Sequence, residues 1–374
     1  MHWTEKKLRL DNYIELSILA QRIKEGYITY NYHPGDKNLV IYNYTRKCQI
    51  DWVWDETICK CRGLICYKEF VISRPFDKFF EFEFYTESEI ATRLNEEIEI
   101  TEKLDGSLGI SYYVNEDLYG IATTASFVSE QALHATALLK NKYKLSFLPT
   151  FKEYCKAGET FLFEIIYPEN RIVVDYGKED DIILLSIKRN VDGTELRNQQ
   201  IKSLFGNTLK VVNAHDPIKD LRYLKDQNKY NEEGYVFRFI KDNFRIKIKF
   251  ERYISIHRTT SNLFLHRIWD ILYQKKDINE YLNTLDDDIV IYVSREIDLM
   301  IKNYRITEIL CMLIYKEYLD TYGKCNINKG RHFYEWCLTK DIKYLPILQG
   351  LFHGRDYSES LLKLIKPKNR RIFE

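Results

Sequence analysis

The spacing of apolar residues changes once along this chain of 374 residues, near Tyr253, and that change limits the folds it can adopt. Before this point, short apolar stretches are rich in aromatic and β-branched residues, as in strands. Beyond it, apolar residues recur every three or four positions, as in amphipathic helices. We therefore predict an α+β fold, with an antiparallel-sheet domain over residues 1–254 and a smaller all-α domain over residues 255–374.

The first region holds a series of predicted strands and one clear helix. Residues 129–140 have helical spacing, with Leu133, Ala137 and Leu138 on one side, and Asn115-Glu116-Asp117 marks a hairpin turn. Strands are predicted at residues 39–44, 63–72, 79–85, 112–114, 118–122, 160–167, 171–176, 182–188, 234–240 and 244–250. In the second region, helical spacing covers residues 263–272, 297–301 and 306–314.

Composition indicates a soluble enzyme that is not secreted. Hydrophobic residues make up 45% of the chain and charged residues 30%, which is the balance of a globular enzyme. No apolar run is long enough to span a bilayer, and residues 1–10 are polar and basic, unlike a secretory signal. We expect a monomer in the cytoplasm or nucleus, with no membrane partner.

The eight cysteines are expected to be free thiols, because disulfides are rare in that compartment. Four of them crowd together, which raises a zinc site as an alternative. They lack paired Cys-x-x-Cys spacing and lie among predicted strands, where cysteine is an ordinary small apolar residue. These four are Cys48, Cys59, Cys61 and Cys66.

Lys103-Leu104-Asp105-Gly106 has two interpretations. Asp-Gly between apolar stretches is a hairpin-turn signal, which would make the string structural. Alternatively, Lys103 is a nucleophile. An ordinary lysine has a pKa of about 10.4 and its ammonium form cannot attack phosphorus, so a nucleophilic lysine needs cationic neighbours or desolvation to favour the free amine.

The predicted strand at residues 244–250 can supply those cations. Period-two alternation puts Arg245, Lys247 and Lys249 on one face and the two isoleucines on the other. Two lysines on one face can bind a triphosphate and offset charge on leaving pyrophosphate. The alternative is an exposed edge strand, in which lysines block pairing with another chain. The formal net charge of +1 decides for neither, because lysines can converge locally in a nearly neutral protein.

Two glutamates lie in apolar surroundings near these motifs. Glu164 is flanked by apolar strand residues, and Glu233 precedes Gly234-Tyr235-Val236. Ordinary strand alternation accounts for such a glutamate by turning it to solvent. Near a lysine cluster, however, two acids also suit a divalent ion that bridges nucleotide phosphates.

Taken in order, Lys103-x-Asp-Gly, Phe163-Glu164, Glu233-Gly234 and Lys247-x-Lys249 resemble the motifs of covalent nucleotidyltransferases, the polynucleotide ligases and mRNA capping enzymes. Longer strings resemble the RNA ligase 1 family, the tRNA-repair ligases of T-even phages, over residues 42–253. These strings are Tyr42-Asn43-Tyr44, Cys61-Arg62-Gly63, Ser73-Arg74-Pro75 with Lys78-Phe79-Phe80, Ser129-Glu130-Gln131-Ala132-Leu133, Asn170-Arg171-Ile172-Val173, Ile182-Ile183-Leu184-Leu185, Glu233-Gly234-Tyr235-Val236, and Lys247-Ile248-Lys249 with Tyr253.

The resemblance implies a role for each matching residue. Lys103 would be the adenylated nucleophile, Glu164 and Glu233 essential acids near ribose or metal, and Asp287 a metal ligand in the helical domain. An acidic helix start explains Asp286-Asp287-Asp288 equally well. Lys247 and Lys249 would contact phosphates, Tyr42, Arg62 and Lys78 would hold the nucleotide with Lys78 near the triphosphate, and Tyr253 would complete the nucleotide site.

The function implied is an ATP-dependent RNA ligase that uses Mg²⁺ or Mn²⁺. It would form lysyl-AMP, transfer AMP to a 5′-phosphate RNA end and seal that end to a 3′-hydroxyl, with cleaved tRNA as a candidate substrate. The helical domain would choose the RNA. Three alternatives are an mRNA capping guanylyltransferase, a DNA ligase and a non-catalytic RNA-binding module on the same fold. Capping enzymes and DNA ligases usually continue into a small β-barrel, whereas this chain becomes helical.

Two positions depart from the family pattern. The family has glutamate before Cys-Arg-Gly, where this chain has Lys60, and it has lysines near Ser126, where this chain reads Ala122-Thr123-Thr124-Ala125. Both changes bear on contacts with ATP or RNA ends, and neither removes the residues of the core chemistry.

Overall fold

The computed structural model describes residues 7–93, 95–216, 229–254, 267–282, 287–323 and 329–367. The chain divides into two units, Met1–Arg258 and Thr259–Glu374. The strands are β1 (Ile28–His33), β2 (Asp36–Tyr44), β3 (Arg62–Tyr67), β4 (Phe70–Ser73), β5 (Phe80–Glu81), β6 (Ile98–Lys103), β7 (Ser107–Tyr113), β8 (Tyr119–Ala122), β9 (Glu159–Ile166), β10 (Asp181–Arg189), β11 (Ala214–His215), β12 (Gly234–Phe239) and β13 (Arg245–Lys249).

The described helices cover both units. Those of the first unit are α1 (Leu16–Lys24), α2 (Arg46–Asp51), α3 (Glu56–Lys60), α4 (Glu87–Ala91), α5 (Glu130–Asn141), α6 (Leu148–Lys156) and α7 (Asn198–Phe205). Those of the second are α8 (Ile278–Leu282), α9 (Asp287–Tyr322), α10 (Lys329–Cys337), α11 (Leu345–His353) and α12 (Ser358–Leu364). Residues 251–254 and 267–273 are also helical. None of the described helices is long and apolar enough to cross a membrane.

The described residues of the first unit form three sheets, which confirms the predicted antiparallel α+β character. Sheet 1 has the order β1-β2-β3-β4, sheet 2 the order β10-β9-β7-β8, and sheet 3 the order β11-β6-β12-β13-β5. Neighbouring strands are antiparallel except β5, which pairs in parallel with β13. Strand β13 therefore lies inside sheet 3, so the edge-strand interpretation of its lysines is wrong.

Sheets 1 and 2 face each other, and helices cover their outer faces. Leu39 and Ile41 of β2 pack in one core with Ile110 of β7 and Leu162 of β9. On the other face of β2, Val40 packs with residues of α1 to α3, while α5 to α7 cover the outer face of sheet 2. Because β2 is buried on both faces, it reads as a continuous apolar run rather than an alternating one.

Three predicted strands differ from the structure. Residues 63–72 form two strands, β3 and β4, because Lys68 turns the chain in a left-handed conformation with φ of 53°. Residues 79–85 pair only at β5 and continue as a 3-10 helix, Phe82–Phe84. Residues 171–176 form no strand. The backbone N–H groups of Val173 and Val174 bond to the Asp105 carboxylate instead of to a neighbouring strand.

The described elements of the second unit are helical. The apolar repeats predicted at residues 297–301 and 306–314 belong to one long helix, α9. Its Cys311 and Tyr318 pack against Phe333 of α10, Ile347 of α11 and Leu361 of α12. Leu263 and Leu265, which were part of the first predicted helix, lie outside the described residues. The functions predicted for the two domains stay predictions.

A buried cluster of charges ties sheet 2 to sheet 3. Glu195 has no exposed side-chain surface and accepts a hydrogen bond from Arg245 of β13 at 3.0 Å. Lys188 of β10 and Arg238 of β12 approach the same carboxylate to 3.7 and 3.9 Å. Burial alone would raise the pKa of Glu195, but Arg245 and Lys188 outweigh it and bring that pKa to about 2. Burial lowers the pKa of Lys188.

Replacing Glu195 with glutamine should lower the free energy of unfolding at pH 7 by about 3 kcal/mol, because three buried cations lose their carboxylate. The folded-state pKa of about 2 lies below the unfolded value of about 4.3, so the carboxylate stabilises the fold fully above that value. Its contribution is lost as pH falls toward 2. Urea unfolding at pH 7, 4 and 3 should therefore show the difference in free energy of unfolding between wild type and Glu195→Gln narrowing below about pH 4.3.

Glu97→Gln is the matched control, because Glu97 is mostly exposed and pairs with Arg197 at the surface. We expect it to leave the unfolding midpoint unchanged at every pH. A Glu195→Gln protein as stable as wild type at pH 7 would contradict the proposed role of the buried cluster.

Candidate active site

Three adjacent strands of sheet 3 bring the predicted lysines and one predicted acid together. In the register of the sheet, Gly234 of β12 lies opposite Lys103 of β6 on one side and Lys249 of β13 on the other. Glu233 immediately precedes Gly234. Its Oε1 lies 2.8 Å from Lys103 Nζ and 3.1 Å from Lys249 Nζ. The Glu233 side chain is 0% exposed, so one buried carboxylate is shared by two ammonium groups.

The close approach of β12 to β13 explains why glycine follows Glu233. A Cβ atom at Gly234 would lie 1.9 Å from the carbonyl oxygen of Ile248. Any side chain there would force the strands apart and move Glu233 away from Lys249. The Glu233-Gly234 pair is thus a spatial requirement of this three-strand junction.

The segment after Lys103 crosses from sheet 3 to sheet 2. It joins β6 to β7, which lie in different sheets, so the hairpin-turn interpretation of Lys103-Leu104-Asp105-Gly106 is wrong. Asp105 is buried and anchors the crossing: Oδ2 accepts from the N–H groups of Val173 and Val174, and Oδ1 accepts from the Tyr253 hydroxyl at 2.8 Å. The crossing is therefore held at one buried carboxylate.

Glu164, on strand β9, also bonds to the segment that follows Lys103. Its Oε1 accepts a hydrogen bond from the Gly106 N–H at 2.9 Å. A Cβ atom at Gly106 would lie 2.5 Å from the Ile165 carbonyl oxygen, so the loop rests directly on the β9 backbone. Both predicted acids thus contact residues within or next to the lysine motif, Glu233 through the Lys103 ammonium and Glu164 through the backbone.

Strand β13 carries its cations as the alternation predicts. Ile246 and Ile248 pack in the core of sheet 3, and Arg245, Lys247 and Lys249 lie on the other face. All three cations are nearly buried. Arg245 is engaged by Glu195 and Lys249 by Glu233. Buried ammonium groups on one face form an electropositive surface suited to phosphates.

The predicted nucleotide-binding residues lie on or beside sheet 1. Tyr42 is on β2, and burial raises the pKa of its phenol to about 12. Arg62 begins β3 with its guanidinium 5.5 Å from the centre of the Phe79 ring. Lys78 Nζ lies 5.3 to 5.5 Å from the ring centres of Tyr44, Trp54 and Phe80. Because Phe80 pairs with Ile246, Lys78 lies near the strand that holds Lys247 and Lys249.

These motifs fall within a recognised family. The family model for RNA ligases of the T4 type matches residues 60–253, a little over half of the chain. The chain belongs to the RNA ligase 1 family.

Other family members are distant in sequence. The RNA ligase of Rhodothermus phage RM378 is 24% identical over 341 residues, covering 73% of this chain and 75% of the phage protein. A putative RNA ligase of Thermovibrio ammonificans is 29% identical over 227 residues, covering 59% of this chain and 56% of that protein.

Solved structures of Naegleria gruberi RNA ligase mutants also match. They contain AMP and Mn or ATP and Mn, and each is 20% identical to this chain with a TM-score of 0.39. Each match covers 46% of this chain and 55% of the Naegleria chain, so it spans about half of that solved ligase.

Two carboxylates near the lysine motif are the candidate metal ligands of this RNA ligase family member. Within the described ranges, no group of three or more His, Cys, Asp or Glu side chains is arranged to hold a metal ion. Mg²⁺ in nucleotide sites typically uses one or two carboxylates together with substrate phosphates. The Glu233 carboxylate beside Lys103 and Lys249, and the Glu164 carboxylate bonded to the Gly106 N–H, are two donors of this kind. Asp287 is the first residue of α9, and its side chain lies outside the described set.

The two departures from the family pattern, at Lys60 and near Ser126, lie in segments with local contacts of their own. Lys60 Nζ pairs with Glu56 on its own helix at 2.6 Å and donates to the Tyr13 carbonyl oxygen at 2.9 Å. Thr123 bonds to Ser126 in a tight loop after β8. Lys60 is therefore occupied by structural contacts in this member of the family.

Sequence reasoning assigned no role to three polar residues that build the site. Asp105 anchors the crossing, Tyr176 accepts a hydrogen bond from the Asp105 N–H, and Asn170 bonds both Ser107 and the Ile165 carbonyl oxygen. Together with Arg171 and Glu179 they line a cavity of about 110 Å³ beside the ligase motif. Asp105 and Asn170 lie within motifs that resemble the ligase family, and this membership could have indicated a role for them. Nothing in the sequence pointed to Tyr176.

Replacing Tyr253 with phenylalanine tests the anchor at Asp105. The change removes one hydrogen bond to a buried carboxylate, and we expect the free energy of unfolding to fall by about 1.5–3 kcal/mol. Urea unfolding is the measurement. Tyr113→Phe is the control, because the Tyr113 hydroxyl also bonds a carboxylate, but that of largely exposed Glu116. Equal effects of the two changes would contradict the anchoring role.

Proposed function

We propose that this chain is an ATP-dependent RNA ligase that carries AMP on Lys103. The observation that supports this most directly is the Glu233 carboxylate shared by Lys103 and Lys249 at the junction of three strands. The cluster holds two ammonium groups against one carboxylate. Two ammonium groups at one buried carboxylate leave a local positive charge that suits an anionic substrate. Membership of the RNA ligase 1 family supplies the chemical class.

The first step forms the lysine–AMP bond. Lys103 Nζ must lose a proton before it attacks the α-phosphorus of ATP, and Glu233 Oε1, at 2.8 Å, is placed to accept it. The new N–P bond forms as the bond from the α-phosphorus to the bridging oxygen breaks and pyrophosphate leaves. Lys249 and Lys247 then offset the charge that develops on the phosphates.

The second and third steps use the same cationic face. An oxygen of the RNA 5′-phosphate attacks the lysine-bound AMP, the N–P bond breaks, and Lys103 regains its proton. The RNA 3′-hydroxyl then attacks the activated 5′-phosphate, which joins the strand and releases AMP. Mg²⁺ or Mn²⁺ bound with the nucleotide would neutralise phosphate charge, with Glu164 and Glu233 as the protein groups available to hold it.

Substrate and setting form the rest of the proposal. RNA with 5′-phosphate and 3′-hydroxyl ends is the substrate class, and cleaved tRNA is the specific candidate, supported by the motif resemblance. The second unit, Thr259–Glu374, would be the all-α domain that selects the RNA. We further propose that the protein acts as a monomer in the cytoplasm or nucleus.

Lys103→Ala should abolish covalent labelling by α-labelled ATP, because the variant lacks the amine that attacks phosphorus. The measurement is label retained on the protein in a denaturing gel, followed by its release with 5′-phosphate RNA into joined product. Lys24→Ala is the control, since Lys24 is an exposed lysine on α1. Label that persists in Lys103→Ala would refute the proposed nucleophile, and label from GTP would instead indicate the capping reaction.

Lys249→Ala should slow labelling of Lys103 by about 100-fold or more, because one buried charge that offsets the phosphates is lost. The rate of label incorporation at saturating ATP measures this, and thermal unfolding verifies that the variant is folded. Lys24→Ala again serves as control. A wild-type labelling rate in Lys249→Ala would remove the cationic face from the mechanism.

A further inference from the structure

An aromatic patch reaches the surface beside Lys78, and the proposed mechanism gives it no role. We define the aromatic patch as Trp52, Trp54, Phe80 and Phe84. The rings of Trp52 and Phe84 lie 4.7 Å apart and are inclined by only 31°. The Phe80 ring centre lies 5.6 Å from that of Trp52, in a tilted arrangement, and 5.3 Å from that of Trp54, in an edge-to-face arrangement. Trp52 is 45% exposed and Phe84 is 54% exposed, so the outer pair presents ring surface to solvent.

Trp52 occupies a backbone conformation that disfavours a large side chain. It ends α2 with φ of 53° and ψ of 41°, the left-handed region, and its N–H bonds to the Cys48 carbonyl oxygen. A residue with a Cβ atom loses about 1–2 kcal/mol in that region, and glycine is the usual choice for closing a helix in this way. The buried half of the indole offsets this cost, whereas the exposed half adds nothing to the stability of the fold.

The patch adjoins the cationic face of the candidate active site. Phe80 belongs to β5 and lies opposite Ile246 of β13, one residue before Lys247. At the less exposed end of the aromatic patch, the Lys78 ammonium lies 5.4 Å from the Phe80 ring centre and 5.3 Å from that of Trp54. One end of the patch thus offers ring faces to solvent, and the other carries a positive charge.

We propose that the aromatic patch stacks an unpaired base near an RNA end, with the phosphate of that nucleotide directed toward Lys78. The inference rests on the proposed function, which supplies RNA as the ligand. Exposed aromatic rings beside a cation are how proteins hold single-stranded nucleic acid without reading its sequence, because each base has a π face and each nucleotide a phosphate. An unpaired base is required, since bases inside a duplex are already stacked.

The test uses two variants of the full-length protein, Trp52→Gly and Phe84→Ala. Glycine at position 52 removes the indole and also relieves the left-handed strain, so loss of function cannot be assigned to a damaged helix end. Stacking on an aromatic side chain is worth about 1–3 kcal/mol per base, so the Kd for a short 5′-phosphorylated single-stranded RNA should rise about 5- to 160-fold. Trp52→Phe keeps a ring and should restore most of the affinity.

Two further measurements separate this proposal from its alternatives. Labelling by α-labelled ATP, a step that contains no RNA, should persist in Trp52→Gly. Affinity for a blunt RNA duplex should change far less than affinity for the single strand. Leu145→Ala, at a side chain that is 91% exposed elsewhere on the first unit, is the surface control and should leave both affinities unchanged.

Each contrary result overturns the stacking proposal. An unchanged single-strand Kd in both variants would show that no base rests on the patch. Lost ATP labelling with unchanged RNA affinity would assign the patch to the nucleotide, and equal losses for duplex and single strand would remove the requirement for an unpaired base. Unchanged RNA affinity with weakened capture of an apolar protein would assign the patch to that partner.

Absence of label in the wild type would refute the ligase proposal separately, while the RNA affinities would still decide the role of the patch.

Discussion

A carboxylate that water does not reach, that of Glu233, governs the arrangement of the first unit. An isolated buried carboxylate is strongly destabilising, so its position is tolerable only beside cations. Lys103 and Lys249 supply them from the strands on either side, and the sheet register fixes their distances. Shifting either outer strand by one residue would turn its lysine to the opposite face. The residues that we propose for nucleotide chemistry are therefore also the residues that stabilise the junction.

The same junction is braced by two further buried carboxylates. Asp105 gathers the N–H groups of Val173 and Val174 and the Tyr253 hydroxyl, which ties the segment after Lys103 to chain segments distant in sequence. Glu195 gathers cations from β10, β12 and β13. Removing one partner leaves part of a buried charge uncompensated. Buried polar groups therefore help to hold the segment that carries Lys103.

The proposed chemistry and the proposed contact with RNA use different physical means. The lysines on one face of β13, where burial strengthens each charge, would bind phosphates. The aromatic patch at the edge of the same sheet offers ring surface, which any base can contact. Because β5 pairs with β13, the two surfaces are neighbours. In this arrangement a strand end can be held by its base while its phosphate lies near the cationic face.

Much of this was readable in the residues alone. Alternation in residues 244–250 placed Ile246 and Ile248 opposite three cations, and the structure agrees, because period-two geometry is a local property of the backbone. The helical spacing of residues 306–314 correctly predicted helix for the same reason. The resemblance over residues 42–253 led to the family, since its strings are long and occur in order. The same strings contain Lys103, Glu233 and Lys249, which meet at one carboxylate, and Glu164, which bonds to Gly106.

Tertiary structure decided which segments of the chain pair with each other. The apolar segment at residues 171–176 resembles a strand in sequence. Its Val173 N–H nevertheless bonds to Asp105, which is 68 residues away in the chain. In sequence alone, the lysines of β13 are as compatible with an edge strand as with a phosphate site. The pairing of β5 with β13 removes the edge-strand interpretation. Glu195 and its three cations gave no local signal, because their partners come from separate strands. Local periodicity determines what a segment can form, whereas burial and long-range pairing, which depend on the whole chain, determine what it does form.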